Sequence, residues 1–174
     1  GTYHDTWAPE LFQDLSGRWH VIYCAKTKNN QQNVYLADFD PATGSITNAW
    51  TQINGLHAID PHIWTHNNQY YLTLNGTHLY TANDYQGPWT KLKTNLADTL
   101  ATTGHWYEAG ETLTDGNKLY YYFDNIYANS DLPEDSGHMM VTTADINGPT
   151  KWTTPEPVQS SITMRHGSFI NQQQ

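Results

Sequence analysis

The feature that most constrains the fold of this chain is a pattern that occurs three times. In each copy an acidic residue beside Pro or Gly is followed by a short strand, a turn and a strongly aromatic strand. Pro9 and Pro61 are 52 positions apart, and Pro61 and Gly110 are 49 positions apart. A repeat of about 50 residues is typical of radial arrays such as β-propellers. The three copies cover residues 7–23, 59–74 and 108–123.

The repeat makes a prediction about the acidic residues. Glu10, Asp60 and Glu108 stand close to the start of successive copies. If the copies are equivalent, each repeat presents one acidic group at an equivalent place. A radial fold then gathers carboxylates around its axis, and carboxylates in pairs are the groups that cleave glycosidic bonds. The pattern therefore favours a carbohydrate-cleaving site.

Strand patterns account for most of the chain. Residues 34–39, 78–82 and 138–144 alternate with the two-residue period of strands that have distinct faces, and they are expected to be third strands. Turn signals separate the preceding strands, because Gly and Asn accept positive φ. Each third strand leads to a polar segment with a Trp, which we expect to be the outermost strand. The turn signals are at 16–17, 67–68 and 115–116, and the tryptophans are Trp50, Trp89 and Trp152.

Four antiparallel strands in each repeat are the content of one propeller blade. We therefore expect an all-β fold, a β-propeller of four-stranded antiparallel blades, in a single domain over residues 1–174. The blades are expected at about 7–55, 56–104 and 105–160, with the start of a fourth at 161–174. An array that ends within a blade leaves apolar faces in water. The expectation is that the chain is a fragment, or that a partner chain supplies the missing surface.

Composition excludes several classes of function. The 8 basic and 17 acidic residues give a net charge of −9, so no basic stripe is present to neutralise the phosphates of nucleic acid. No apolar stretch approaches the ~20 residues that cross a bilayer. Cys24 is the only cysteine, in an apolar strand pattern, and we expect a small buried hydrophobic side chain rather than a reactive thiol. No signal-peptide pattern opens the chain, and the localisation, secreted or cytoplasmic, is left open.

Four motifs in order carry a resemblance to a known family. The stretches 7–11 (Trp-Ala-Pro-Glu-Leu), 59–61 (Ile-Asp-Pro), 108–110 (Glu-Ala-Gly) and 166–168 (His-Gly-Ser) resemble the second to fifth blade motifs of family 43 glycoside hydrolases. That family has a five-bladed β-propeller. It hydrolyses glycosidic bonds in arabinose- or xylose-containing polysaccharides with inversion at the anomeric carbon. The resemblance implies a polysaccharide or oligosaccharide substrate and a chain that lacks the first blade and most of the last.

The resemblance also implies roles for individual residues. Glu108 corresponds to the general acid, although Gly110 stands where the family motif has Pro. Asp60 corresponds to the carboxylate that orients the acid and raises its pKa, since nearby carboxylates disfavour a second negative charge. His166 matches an axial His often associated with a structural Ca²⁺ ion. No cofactor is required by the implied mechanism.

The general base is missing from this assignment. In the family it is an Asp in the first blade, where it activates the water of an inverting mechanism. Only Asp5 precedes Trp7, and it lies too close to Trp7 to belong to another blade. We therefore expect the base outside this sequence. Two hypotheses from other classes stay open, a noncatalytic sugar-binding propeller and a structural repeat protein without a ligand.

Aromatic and basic residues near the motifs are candidates for contacting a sugar. An aromatic face stacks on the apolar face of a sugar ring, and the guanidinium of Arg can hydrogen-bond to a hydroxyl. Packing between blades is the alternative for each aromatic ring. There is no HExxH zinc motif, Gly-x-Ser-x-Gly elbow or phosphate-binding glycine loop to support another enzyme class. The candidates are Trp7, Trp64, Trp106, Tyr107 and Arg165.

Overall fold

The computed structural model describes residues 5–53, 55–96, 105–127 and 138–159, and for residues 105, 106, 127 and 138 the backbone only. Thirteen strands form within these ranges. The strands are β1 (Asp5–Gln13), β2 (Trp19–Lys26), β3 (Gln32–Asp40), β4 (Ser45–Ile46), β5 (Thr51–Gln52), β6 (His62–His66), β7 (Gln69–Leu74), β8 (His78–Ala82), β9 (Thr90–Lys91), β10 (His105–Asp115), β11 (Lys118–Tyr127), β12 (His138–Asp145) and β13 (Glu156–Pro157).

Each predicted repeat forms one antiparallel sheet. The orders are β1-β2-β3-β4 with β5 also on β3, then β6-β7-β8-β9, then β10-β11-β12-β13. Each predicted hairpin turn has residues with positive φ, for example Gly17, Asn67 and Gly116. The predicted third strands are β3, β8 and β12, and short outer strands follow Trp50, Trp89 and Trp152. The prediction of four-stranded antiparallel repeats is confirmed for the described residues, and the start of a fourth repeat at 161–174 lies outside them.

The same positive φ occurs in or just before the first strand of each sheet. Ala8, Asp60 and Ala109 all have positive φ, between 48° and 51°. In the first and third sheets the pairing register shifts at this point, between Trp7 and Glu10 and between 108 and 111, which is a β-bulge. Side chains other than Gly rarely take this conformation, so the same strained step is present three times.

The bulge corrects the expectation that the three acidic residues are equivalent. Counted from the residue with positive φ, Glu10 is two positions later, Asp60 is that residue itself, and Glu108 is one position earlier. The repeat is therefore a repeat of backbone geometry. Each acidic side chain leaves the backbone from a different step of the bulge, because adjacent strand residues point to opposite faces.

The chain divides into two compact units. One contains Gly1–Leu74 with Tyr80–Lys91, and the other contains Asn75–Leu79 with Leu92–Gln174. The core of the first unit is formed by one face of the first sheet and residues of the second sheet, including Ile22, Leu36 and Leu72. Alternation explains the choice of residues, since side chains two apart in a strand share a face. Tyr23 and Tyr35 lie on the opposite face of the first sheet.

None of the described residues belongs to a helix that is both long and apolar enough to span a membrane.

Candidate active site

Glu108 lies in β10, at the last step before the bulge. Its side chain is half-buried, and its cross-strand partner in β11 is Asp124. A Cβ atom built on Gly76 would lie 2.7 Å from the carbonyl carbon of Tyr107 and 3.0 Å from the backbone nitrogen of Glu108. Glycine at position 76 therefore allows another backbone segment of the same unit to approach the peptide that carries Glu108.

Gly110 has a packing role that accounts for its departure from the family motif. A Cβ atom at this position would lie 1.7 Å from the hydroxyl oxygen of Tyr121 and 2.4 Å from its Cζ. The Tyr121 side chain is fully buried. Its phenol ring therefore takes the space that a side chain at position 110 would need, and even a methyl group there would force the ring to move.

Asp60 lies in the first unit and is buried, with 7% of its surface exposed. The thiol of Cys24 is influenced by both the backbone and the carboxylate of Asp60. The thiol also donates a hydrogen bond to the carbonyl of Trp7, at 3.5 Å. Burial raises the pKa of Cys24 to about 11, and the negative charge of Asp60 acts in the same direction. The prediction that Cys24 is a buried, unreactive side chain is consistent with this environment.

Glu10 is paired rather than free. Its Oε2 lies 2.9 Å from Nδ1 of His62, and both side chains are largely shielded from solvent. Glu10 is on β1 and His62 on β6, so this contact links the first strands of two successive sheets in the first unit. The pairing favours a structural role for Glu10. Sequence reasoning missed His62 as its partner, although both residues occupy the second position after the residue with positive φ.

The aromatic candidates differ in how much of their rings is available. Trp7 is 37% exposed and lines a cavity of about 340 Å³ with Tyr23 and Trp50. Trp64 stacks on Tyr71, with ring centroids 4.2 Å apart and planes 11° apart, so one face of its indole is covered. These contacts leave Trp7 the more accessible of the two predicted platforms.

The structure describes fewer contacts for the remaining predicted site residues. Tyr107 is half-buried and makes an edge contact with Phe123 in the second unit, at 5.4 Å between ring centroids. The side chain of Trp106 and the whole of Arg165 and His166 lie outside the described residues. Asp60 belongs to the first unit and Glu108 to the second. Their joint role therefore remains a prediction from the family motif.

Asp124 is the acidic residue that sequence reasoning missed in this region. It has no exposed surface, although it is the fifth residue of an otherwise aromatic strand segment, 120–124. A carboxylate within such a segment is an unusual choice, because charged groups are seldom fully buried without a partner. That exception in the strand pattern is the signal by which the sequence could have identified it.

The fold and these residues together define a class. The three antiparallel sheets, two of them with a bulged first strand, have the strand content of β-propeller blades. The sequence profile described as glycosyl hydrolases family 43 matches residues 1–173. The chain belongs to this family, as the four motifs predicted. A comparison with curated proteins found no significant match.

Solved structures show the same fold at low sequence identity. An α-L-arabinofuranosidase from Podospora anserina in complex with cellotriose is 13% identical, with a TM-score of 0.62, and the match covers 94% of this chain and 53% of that one. An α-L-arabinofuranosidase from Lactobacillus brevis is 20% identical, with a TM-score of 0.58, over 95% of this chain and 61% of that one.

A third similar structure is a β-xylosidase/α-arabinofuranosidase from a compost microbial metagenome, in complex with xylotriose and in calcium-free form. It is 12% identical, with a TM-score of 0.57, and the match covers 90% of this chain and 60% of that one. The present chain thus spans between 53% and 61% of the length of these three structures. At such identities the likeness shows the fold alone.

Proposed function

We propose that this chain is the β-propeller portion of a glycoside hydrolase that cleaves arabinose- or xylose-type oligosaccharides or polysaccharides by an inverting mechanism. The observation that carries the proposal is Glu108, which a bulge holds at the start of a propeller blade in a chain that matches family 43 over residues 1–173. Inverting hydrolysis needs one carboxylic acid to protonate the leaving oxygen and one carboxylate to activate water.

In the proposed mechanism Glu108 donates a proton to the glycosidic oxygen as the bond to the anomeric carbon breaks. Asp60 orients Glu108 and favours its protonated form, because a second carboxylate nearby disfavours ionisation. A carboxylate that acts as the general base removes a proton from water as the water attacks the opposite face of the sugar. Trp7, Trp64, Trp106 and Tyr107 are the proposed aromatic contacts of the sugar, and Arg165 is a proposed contact of its hydroxyls.

The sugar class is supported by family membership and by the names of similar structures. Two of these structures are arabinofuranosidases, and the third acts on both xylosides and arabinofuranosides by its description. The mechanism requires no cofactor. A structural Ca²⁺ near His166 belongs to the proposal as an expectation from the family motif, and no catalytic step depends on it.

A second candidate is a noncatalytic carbohydrate-binding module. The cavity formed by Trp7, Tyr23 and Trp50 favours it, since aromatic rings at its wall offer a surface for a sugar ring without any acid and base pair. Binding without turnover, unaffected by a change at Glu108, would favour this candidate over the enzyme.

The test is hydrolysis of aryl arabinofuranosides and aryl xylosides by this chain and by a version extended at both ends. In the active form we expect Glu108→Gln to lower kcat by about 10²- to 10⁴-fold on substrates with poor leaving groups, and far less on activated ones, which need little protonation. Glu156→Gln is the matched control, because Glu156 is exposed. Full activity of Glu108→Gln on a poor leaving group would overturn the acid assignment.

The inverting mechanism is tested separately, by the anomeric configuration of the product. Proton NMR of the first product formed should show the anomer opposite to that of the substrate before mutarotation. A retained configuration would contradict the proposed mechanism, and inactivity of the extended protein on a broad glycoside panel would contradict the enzyme proposal as a whole.

A further inference from the structure

Glu108 and Asp124 are direct cross-strand neighbours. They occupy opposing positions in the antiparallel pair of β10 and β11, immediately before the register shift. Directly opposed residues in such a pair have Cβ atoms about 4.5–5.5 Å apart and project from the same face of the sheet. Two carboxyl groups are thus placed side by side within a single unit of the chain.

The two groups differ in burial. Asp124 has no exposed surface, whereas Glu108 is half-buried. On the same face of β11 stands Tyr122, whose pKa is raised by burial. Across the sheet Asp124 is opposed by Met139 of β12, which is 4% exposed. Met139 therefore makes the β12 side of Asp124 apolar.

This arrangement limits how much charge the pair can hold. Ionisation of a buried carboxyl group is disfavoured by lost hydration, and ionisation of both groups is disfavoured further by their mutual repulsion. Carboxyl groups this close titrate as a coupled pair, in two separated steps.

We propose that Asp124 is a positioning residue that acts through Glu108: the two carboxyl groups share one proton near neutral pH, and that proton is the one delivered to the glycosidic oxygen. The inference rests on the proposed function, in which Glu108 is the acid, and adds a partner from the neighbouring strand. In this proposal the delivered proton comes from two residues of the same sheet, Glu108 and Asp124.

Other titratable groups near the pair, among the described residues of this unit, lie on β10, on β11 and in the segment that follows Gly76. β10 contributes Tyr107 and, beyond the bulge, Glu111. β11 contributes Tyr122, and Met139 of β12 is uncharged. The segment that packs on the backbone of Glu108 through Gly76 carries His78 two residues further on.

The test follows the carboxyl signal of Glu108 by NMR and needs no catalytic activity. The chain contains five Glu residues, so selective ¹³C labelling of glutamate gives few signals, and Glu108→Gln assigns the relevant one. In the unchanged protein we expect the Glu108 signal to continue changing up to near-neutral pH. In Asp124→Asn its titration should end at lower pH, by about one pH unit or more, as expected for a strongly coupled pair.

Asp115→Asn is the matched control, because it makes the same charge change in the same strand pair at an exposed position. It should leave the Glu108 titration unchanged, since exposed charges at a distance are screened by salt. If Asp124→Asn does not fold, the reciprocal measurement replaces it: in Glu108→Gln the titration of Asp124 should move to lower pH. An identical Glu108 titration with and without Asp124, or an unmoved Asp124 titration in Glu108→Gln, would overturn the proposal.

The enzyme assay separates this inference from the proposed function. In the active form Asp124→Asn should shift the alkaline limb of the kcat profile to lower pH, a change that a purely structural role would not produce. If Glu108→Gln retains activity while the NMR coupling is present, the acid assignment fails and the proton-sharing pair stands. If Glu108→Gln is inactive and the coupling is absent, the acid assignment stands and the role of Asp124 fails.

Discussion

At the scale of single residues, glycine at position 110 is determined by a neighbouring ring rather than by backbone conformation. The Tyr121 hydroxyl lies where a Cβ atom would be, and the residue carries no positive φ. The family motif at this position contains Pro, and Pro would need the same space. The buried ring of Tyr121 can therefore take its observed position only while residue 110 has no side chain.

A substitution tests this packing. Gly110→Ala should lower the free energy of unfolding by about 1–3 kcal/mol, because the added methyl group forces Tyr121 to move within a packed interior. Urea denaturation measures the effect.

Gly148→Ala is the matched control, since a Cβ atom there would meet nothing within 4 Å. Its effect should stay within about 0.5 kcal/mol. Equal stability of the two variants would show that the space around Tyr121 relaxes freely.

At the scale of elements, the turn between β1 and β2 is organised by one buried carboxylate. Asp14 accepts hydrogen bonds from the backbone and hydroxyl of Ser16, at 2.8 and 2.6 Å, and from the backbone of Arg18, at 3.0 Å. Nε2 of His20 lies 3.1 Å from its other oxygen. Burial alone would raise the pKa of Asp14, but these hydrogen bonds outweigh it and hold the pKa well below its usual value.

The lowered pKa predicts how stability depends on pH. The folded state holds the Asp14 carboxylate more tightly than the unfolded state, so its contribution is present above about pH 4 and is lost as the pH falls further toward the folded pKa. Asp14→Asn should therefore cost about 1–3 kcal/mol at pH 7. The difference from the unchanged protein should shrink below pH 4, as measured by denaturation at several pH values.

Asp40→Asn provides the comparison at another turn. The Asp40 carboxylate bonds to Ala42 and Thr43, but Asp40 is only half-buried, so its loss should cost less. A cost of Asp14→Asn that does not change between pH 7 and pH 3 would contradict the electrostatic explanation.

At the scale of the whole molecule, charge and surface aromatics together should control solubility. The net charge is −9 at pH 7 and the isoelectric point is about 5.2. Trp50 is 38% exposed beside the cavity it forms with Trp7 and Tyr23. When charge repulsion disappears, exposed apolar surface promotes association.

We therefore expect light scattering of a concentrated solution to be greatest near pH 5 and to fall on either side. Trp50→Ser should reduce this maximum without moving its pH, because it removes apolar surface and no charge. A scattering maximum far from pH 5, or one unaffected by Trp50→Ser, would contradict this account.

Much of the fold could be predicted from local sequence signals. Alternation in β3, β8 and β12 and the Gly and Asn turns depend on neighbouring residues, so they are readable without tertiary structure. The positions of the outer strands near the tryptophans were predicted, but their very short lengths were not. A strand of two residues has too little sequence for a periodicity to appear.

The candidate site was predicted less completely. The family motif predicts Glu108 as the acid, and this role stays a prediction. The pairing of Glu10 with His62 and the position of Asp124 opposite Glu108 were not foreseen. These contacts join residues that are 52 and 16 positions apart. They depend on strand register, and register depends on where the bulge inserts its extra residue.

Local sequence patterns were enough to predict the type of secondary structure, the number of repeats and the acidic and aromatic groups in each repeat, because periodicity and turn chemistry depend on neighbouring residues. Tertiary structure decided which of those groups are buried and which face one another. The three acidic groups were equivalent as a repeat in the sequence. In the structure they take different positions relative to a residue of positive φ at the start of each sheet. Of the three, only Glu108 lies directly across a described strand pair from a buried carboxyl group.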